Sequence, residues 1–174
     1  MKIVIMGTLP SSLYNFRGHL LQCFKGYGAN VVALASGAIT SDIQVIRSLG
    51  PDYIDYPVSR SGLKPKDDFK TFKALRSIFK KQQPDVILAY TIKPIIWGAF
   101  AARCLPNCRF YALVTGLGFA CQRGNWKKNI LMKLVVILYK AALKSADKVI
   151  FQNPDNKQVF IDLGIVPEHK TAVV

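Results

Sequence analysis

Short runs of apolar residues alternate along this chain with helical patterns, and each run stops at a small or polar turn. The first run is Lys2-Ile3-Val4-Ile5-Met6-Gly7; the loop Thr8 to Ser12 follows, then Phe16, Leu20, Leu21, Phe24 and Tyr27 at helical spacing, with Gly26 or Gly28 as the stop. A run that is apolar at every position predicts a strand buried on both faces. The same unit recurs about six times with short connections, which predicts an α/β fold: a doubly wound, mostly parallel, Rossmann-like sheet with helices on both faces and right-handed crossovers. In such a sheet ligands bind outside the carboxyl ends of the strands.

The later units read as follows. Asn30 starts a second strand through Ala35, and Ser41 or Asp42 caps a short helix that stops at Gly50. Tyr53–Tyr56 is a third strand. Asp67 and Asp68 open a helix that runs to about Gln82, with Lys80 and Lys81 in its last turn, an order of charge that suits the helix dipole. Val86–Tyr90 is the fourth strand, and Pro94 takes the first position of the next helix. Arg109–Val114 is the fifth strand, a helix covers roughly Trp126 to Ser145, and Lys148–Gln152 is the sixth strand. Asn153-Pro154-Asp155 starts a helix that Gly164 ends, and Lys170–Val174 is a last strand.

The 174 residues make one domain with a proper core. Lys and Arg number 24 against 10 acids, a net charge of +14 that favours anionic partners: phosphates, nucleic acid or acidic lipid surfaces. Cys23, Cys104, Cys108 and Cys121 form no C-x-x-C pair and the histidines are His19 and His169 alone, so no metal site is predicted. Reduced thiols and the shortness of the Ile3–Met6 run point to a cytoplasmic protein without a signal peptide. No apolar stretch reaches the roughly 18 residues of a membrane-spanning helix.

The first turn lacks G-x-G-x-x-G, and G-x-x-x-x-G-K-[ST] is absent throughout, which excludes the two common nucleotide-loop fingerprints. Glu168 is the single glutamate, and most of the aspartates fit helix starts or strand entries, so no carboxylate pair at the strand ends suits acid/base work and no catalytic residue is assigned. What gathers at the predicted strand ends is neutral and cationic: Gly7, Asn15 and Arg17 after the first strand, Arg60 after the third, Thr91 and Lys93 after the fourth, Thr115, Gly116 and Gly118 after the fifth, Asn153 after the sixth. Hydrogen-bonding groups, cations and glycines that admit a close backbone suit a polyhydroxylated ligand bearing phosphate. Taken singly, Ser, Thr and Asn at these positions are also ordinary helix caps.

The helix from Trp126 carries a second signal. Lys133, Lys140 and Lys144 share a narrow stripe with Asn129, the rest is apolar, and Trp126, Lys127 and Lys128 stand at its start. Basic residues beside a wide apolar face suit an anionic membrane surface, while a face packed on a neighbouring helix or domain is the alternative. Lys66, Lys70, Lys73, Arg76, Lys80 and Lys81 form a solvated face, and no aromatic-plus-basic module for nucleic acid is present.

With these residues in place, the chain resembles the N-terminal half of a bacterial GT-B glycosyltransferase of family 4, of the kind that extends lipid-linked oligosaccharides for surface polysaccharide or protein glycosylation. The matching pieces are Tyr14-Asn15-Phe16-Arg17, Ser59 to Pro65, Tyr90 to Pro94 with Gly98, Thr115-Gly116-Leu117-Gly118, and Phe151-Gln152-Asn153 with Asn156. The resemblance implies one acceptor-binding domain over residues 1–174, and a nucleotide-sugar-binding domain, with its pair of glutamates seven residues apart, that this chain does not contain. It implies a retaining transferase of hexosyl or N-acetylhexosaminyl groups, inactive as this chain alone, whether a cut fragment or a truncated gene product. The implied partners are a lipid-linked glycan acceptor, a nucleotide-sugar donor that is a substrate and not a cofactor, and the inner face of the plasma membrane, where the protein would be peripheral. Many members carry a histidine at the end of strand five; Thr115-Gly116 stands there in this chain. The competing readings are a non-catalytic membrane-docking subunit of a split glycosyltransferase and an unrelated small Rossmann-like nucleotide binder.

Overall fold

The computed structural model describes residues 1–59, 62, 64–117 and 126–174. The elements run β1 (Lys2–Met6), α1 (Pro10–Gly26), β2 (Asn30–Ala35), α2 (Thr40–Ser48), β3 (Asp52–Asp55), α3 (Pro65–Gln82), β4 (Val86–Tyr90), α4 (Ile92–Ala102), β5 (Arg109–Val114), α5 (Trp126–Leu143), β6 (Lys148–Phe151), α6 (Pro154–Asp162) and β7 (Thr171–Val173). The strands form one sheet in the order β3-β2-β1-β4-β5-β6-β7, and every pair is parallel. The doubly wound α/β fold is therefore present.

The alternation of side chains along each strand builds two cores. Val4, Met6, Ile87, Ala89, Phe110 and Ala112 face the layer made by α3, α4, α5 and α6, where Leu75, Phe79, Ile95, Tyr139 and Phe160 pack. Ile3, Ile5, Val31, Ala33, Leu88 and Tyr90 face the other way, toward Leu13 and Leu21 of α1 and Ile46 of α2. Helix α4 lies close on the sheet because its sheet-facing residues are small: a Cβ added at Gly98 would stand 3.1 Å from the Met6 sulfur.

Several boundaries differ from the sequence reading, each for a local reason. Strand β3 spans Asp52–Asp55; Tyr56 just after it still donates its N–H to the Ala35 carbonyl at 3.1 Å, and its hydroxyl donates to the Gly7 carbonyl at 2.7 Å. Helix α2 starts at Thr40, and Asp42 does not cap it from outside but reaches back to accept the Ile39 N–H at 3.1 Å. Helix α4 begins at Ile92, two residues before Pro94; the proline still falls in the first turn, where its missing N–H removes no helical bond. Of the α1 pattern, Phe16 and Tyr27 are not core residues: Phe16 is 73% exposed. The buried positions of α1 are Pro10, Leu13, Gly18 and Leu21, a stripe that misses Phe16.

Candidate functional site

The sheet order reverses between β1 and β4: the chain winds outward from β1 through β2 and β3, then returns to β4 and winds the other way. The loops leaving β1 and β4 therefore part and leave a crevice at their carboxyl ends. A pocket of about 280 Å³ lies there, lined by Ser12, Phe16 and Arg17 of α1, Tyr90 and Thr91 after β4, Thr115 after β5 and Gln152 after β6.

Gly7 sets the floor. A Cβ at this position would fall 2.2 Å from the Tyr90 ring, so only glycine lets that ring lie across the end of β1. The Tyr90 hydroxyl meets Ser12 Oγ at 2.9 Å, and Ser12 Oγ also donates to the Leu9 carbonyl at 2.6 Å. Burial pushes the Tyr90 phenol up to about 12, against the opposing pull of the Ser12 hydrogen bond and the Arg17 cation. The ring is thus neutral near neutral pH and offers a hydroxyl, not a charge.

Thr91 follows with φ 67° and ψ 157°. A β-branched residue seldom adopts positive φ, and such a conformation costs on the order of 1–3 kcal/mol. Its hydroxyl lies 2.9 Å from that of Thr8, which joins the loops after β1 and β4 across the crevice, and its carbonyl accepts the Ile95 N–H to start α4.

Arg17 is the pocket's cation. It falls between Leu13 and Leu21 at helical spacing, so it shares the sheet-facing stripe of α1 and is turned toward the sheet edge. The guanidinium stands 5.3 Å from the centroid of the Tyr90 ring, and Nη1 donates to the Phe16 carbonyl at 2.9 Å. Its Nε is buried with no hydrogen-bond partner. A buried donor on a permanent cation that lacks an acceptor is costly, and an incoming anion removes the cost. An arginine in the middle of an apolar stripe is the signal in the sequence that distinguishes this residue.

Of the residues chosen from sequence, the structure brings Arg17, Thr91 and Thr115 into one pocket, above Gly7. Gly116 adjoins Thr115 and is partly buried, and Asn15 is exposed on α1. Asn153 is a helix cap, its side chain accepting the Asn156 N–H at 2.8 Å. Lys93 is buried in the first turn of α4, where its Nζ pairs with Asp68 Oδ1 at 2.7 Å and donates to Ser59 Oγ. Arg60 and Gly118 lie outside the described residues. Ser12, Tyr90 and Gln152, which also stand at the strand ends in the sequence, line the pocket too, as does Phe16, which the helical spacing of α1 marks without pointing to a site.

On α5, Trp126, Lys133, Lys140 and Lys144 are exposed, and the side chains of Lys127 and Lys128 are outside the described set. The apolar face beside the lysines is open: Ile130 is 57%, Leu134 44% and Ile137 62% exposed. Among the described residues no helix is long and apolar enough to cross a membrane, and no three His, Cys, Asp or Glu gather in a metal-binding group.

Comparison with known proteins agrees with this architecture. Residues 16–153 match the glycosyl transferase 4-like family. The chain is 29% identical over 176 residues to the N,N'-diacetylbacillosaminyl-diphospho-undecaprenol alpha-1,3-N-acetylgalactosaminyltransferase of Campylobacter jejuni, and this match spans all of the chain and 46% of that protein. Among solved structures, MurG of Acinetobacter baumannii is similar with a TM-score of 0.61 at 14% identity, covering 100% of this chain and 45% of that one. Sucrose-phosphate synthase of Thermosynechococcus elongatus is similar with a TM-score of 0.69 at 13% identity, covering 100% and 47%. The chain thus spans about half the length of the proteins it matches, and has the fold of one half of a GT-B enzyme. It belongs to the glycosyl transferase 4-like family.

Proposed function

We propose that this chain is the acceptor-binding half of a retaining glycosyltransferase that moves a sugar from a nucleotide sugar to a lipid-linked glycan. The observation that carries the reading is Arg17, a permanent cation with a buried, unpartnered Nε, in a pocket at the topological switch point of the sheet. Its neighbours, Ser12, Tyr90, Thr91, Thr115 and Gln152, are neutral hydrogen-bonding groups that match sugar hydroxyls. Among the described lining residues, one cation and a ring of neutral donors and acceptors suit a sugar carrying phosphate. The family supports transfer chemistry, and the Campylobacter jejuni relative is named for a diphospho-undecaprenol-linked sugar.

On this reading the donor is a substrate held mainly by a second half, no cofactor takes part, and the chain alone turns over no sugar. The chain's own contribution is positional and electrostatic. Arg17 neutralises a phosphate, and the backbone at Gly116 lets the acceptor come close, so that its hydroxyl is held against the donor. The open apolar face and lysines of α5 support a peripheral position on the anionic inner face of the plasma membrane, where such an acceptor would reside.

The test is Arg17→Ala in the enzyme that joins this chain to a nucleotide-sugar-binding half. Loss of a charged hydrogen bond, about 1.5–3 kcal/mol, raises the KM for the lipid-linked acceptor roughly 10- to 100-fold. An unchanged acceptor KM removes Arg17 from the site and the reading with it.

A further inference from the structure

A second cavity, larger than the polar pocket, lies on the opposite layer between α3, α4 and α5. It measures about 480 Å³, within the roughly 300–1,000 Å³ range of small-molecule sites, and is walled by Phe69, Phe72, Trp97, Phe100, Leu134 and Leu138. Its one charged wall residue is Asp68, and that carboxylate is already satisfied: it pairs with Lys93 at 2.7 Å and accepts the Lys64 N–H at 3.1 Å. Apart from that pair, the polar group among the described wall residues is the Trp97 indole N–H, and the rest of the wall is apolar. Four aromatic rings and two leucines recognise hydrocarbon.

Three features of its position, beside the diphospho-undecaprenol in the name of the Campylobacter jejuni relative, point to the lipid of the acceptor. At its outer lip, Leu134 belongs both to the groove and to the exposed stripe Ile130, Leu134 and Ile137 of α5, so the apolar surface runs unbroken from the protein's exterior into the cavity. At its inner end, Asp68 is tied to Lys93, two residues along the first turn of α4 from Thr91 in the polar pocket. Beside the groove, Lys66, Lys70 and Lys73 are exposed at helical spacing on α3, and Lys73 Nζ stands 4.7 Å from the centroid of the Phe69 ring. The surround is cationic, the bed is apolar, and a polar site for a phosphate-bearing sugar starts one helical turn away.

We propose that this groove holds the first isoprene units of the prenyl chain of the lipid-linked acceptor whose phosphorylated sugar occupies the pocket at Arg17. The inference rests on the function proposed above and adds to it a lipid-reading site: the chain enters along the α5 stripe, and α4 separates lipid from sugar. Discrimination among lipids is then made by the shape of the groove, and charge supplies the attraction to the membrane.

Photo-crosslinking tests it. The probe is farnesyl diphosphate with a diazirine on its distal isoprene unit, irradiated with the 174-residue chain and mapped by mass spectrometry. The expected label falls on Phe69, Phe72, Phe100 or Leu138. It drops about tenfold in Phe69→Ser, a change that removes a wall at a ring already 55% exposed and so spares the fold, and in Leu134→Asn. Label confined to Ile130 and Ile137 overturns the proposal, because it reports adsorption to the stripe. Equal groove labelling by a diazirine-bearing phospholipid in phosphatidylglycerol vesicles also overturns it, because the occupant is then a bulk acyl chain. The two readings fail separately. An unlabelled groove with an Arg17→Ala effect on acceptor KM removes the lipid site and leaves the transferase reading standing. A labelled groove with no Arg17→Ala effect keeps a prenyl site and removes the transferase reading.

Discussion

The polar pocket and the apolar groove lie on either side of α4 and are built in opposite ways. Four separate elements contribute one to three side chains each to the pocket, and they converge only because the sheet reverses between β1 and β4. Those groups are pinned by side-chain hydrogen bonds, Thr8 to Thr91 and Ser12 to Tyr90, and by a backbone held at positive φ. The groove is made from the faces of three helices, and its one charge pair is closed on itself. A polar ligand needs atoms placed to a few tenths of an ångström, which a rigid sheet edge supplies; a hydrocarbon chain needs only volume and dryness, which helix faces supply.

Removing Asp68 tests this division most severely. Asp68→Ala leaves the Lys93 ammonium buried without its partner, and breaking such a pair costs about 3–5 kcal/mol. The urea midpoint falls accordingly, and the double change Asp68→Leu with Lys93→Met recovers most of the loss, since two apolar residues of similar bulk fit the dry end of the groove. The double variant leaves binding of a sugar phosphate without a lipid tail intact if Lys93 belongs to the groove. A selective loss of affinity for that headgroup instead assigns Lys93 to the polar pocket, as the sequence alone suggested.

The backbone at Thr91 gives a smaller effect. Elsewhere in an ordered element alanine is more stable than glycine by roughly 0.5–1 kcal/mol. At φ 67° the order reverses, and Thr91→Gly is more stable than Thr91→Ala by about 1–2 kcal/mol. Both lose the bond to Thr8, so the comparison isolates the strain. Chemical denaturation of the pair reads it directly, and an alanine variant at least as stable as the glycine one means that the pocket holds no strained hinge at the end of β4.

The fold was legible because β1, β2 and β4 are nearly continuous apolar runs and α2 and α6 stop at glycines in the left-handed region, Gly50 and Gly164. The stripe of Lys133, Lys140 and Lys144 was legible because helical periodicity needs no tertiary knowledge. Pairings across the chain were not. Lys93 and Asp68 are 25 residues apart on different helices, and nothing local marks a lysine that will be neutralised inside. Gly7 signalled a close approach without naming Tyr90, 83 residues away, as what approaches. Thr91 gave no warning of positive φ, since glycine or asparagine is the residue that usually announces it. Arg17 was chosen as a cation after a strand, but its hold on the pocket comes from its place between Leu13 and Leu21, which only the stripe reveals.

Alkaline pH separates the two cavities with the gentlest perturbation, because only the polar one contains a titrating ring. Burial raises Tyr90 from 10.0 to about 12. Burial likewise raises Tyr56, which closes the floor beneath Gly7, well above its usual value. Both phenols hold their protons more tightly folded than unfolded, so stability from this source is complete below about pH 10. It is lost as pH rises through 12, where the unfolded chain has ionised and the folded one resists. The urea midpoint should therefore stay flat from pH 7 to about 8.5 and fall beyond it, the Cys108 thiol, which burial raises to about 11, contributing first and the phenols after it. Tyr90→Phe should cost only the Ser12 hydrogen bond near neutrality, about 1 kcal/mol, and should make the alkaline fall shallower. Trp97 fluorescence, read in Trp126→Phe so that the groove alone reports, should hold steady over the range in which the pocket loosens. If it changes together with the alkaline fall, the two cavities open as one unit, and the first turn of α4 is a shared hinge and not a partition.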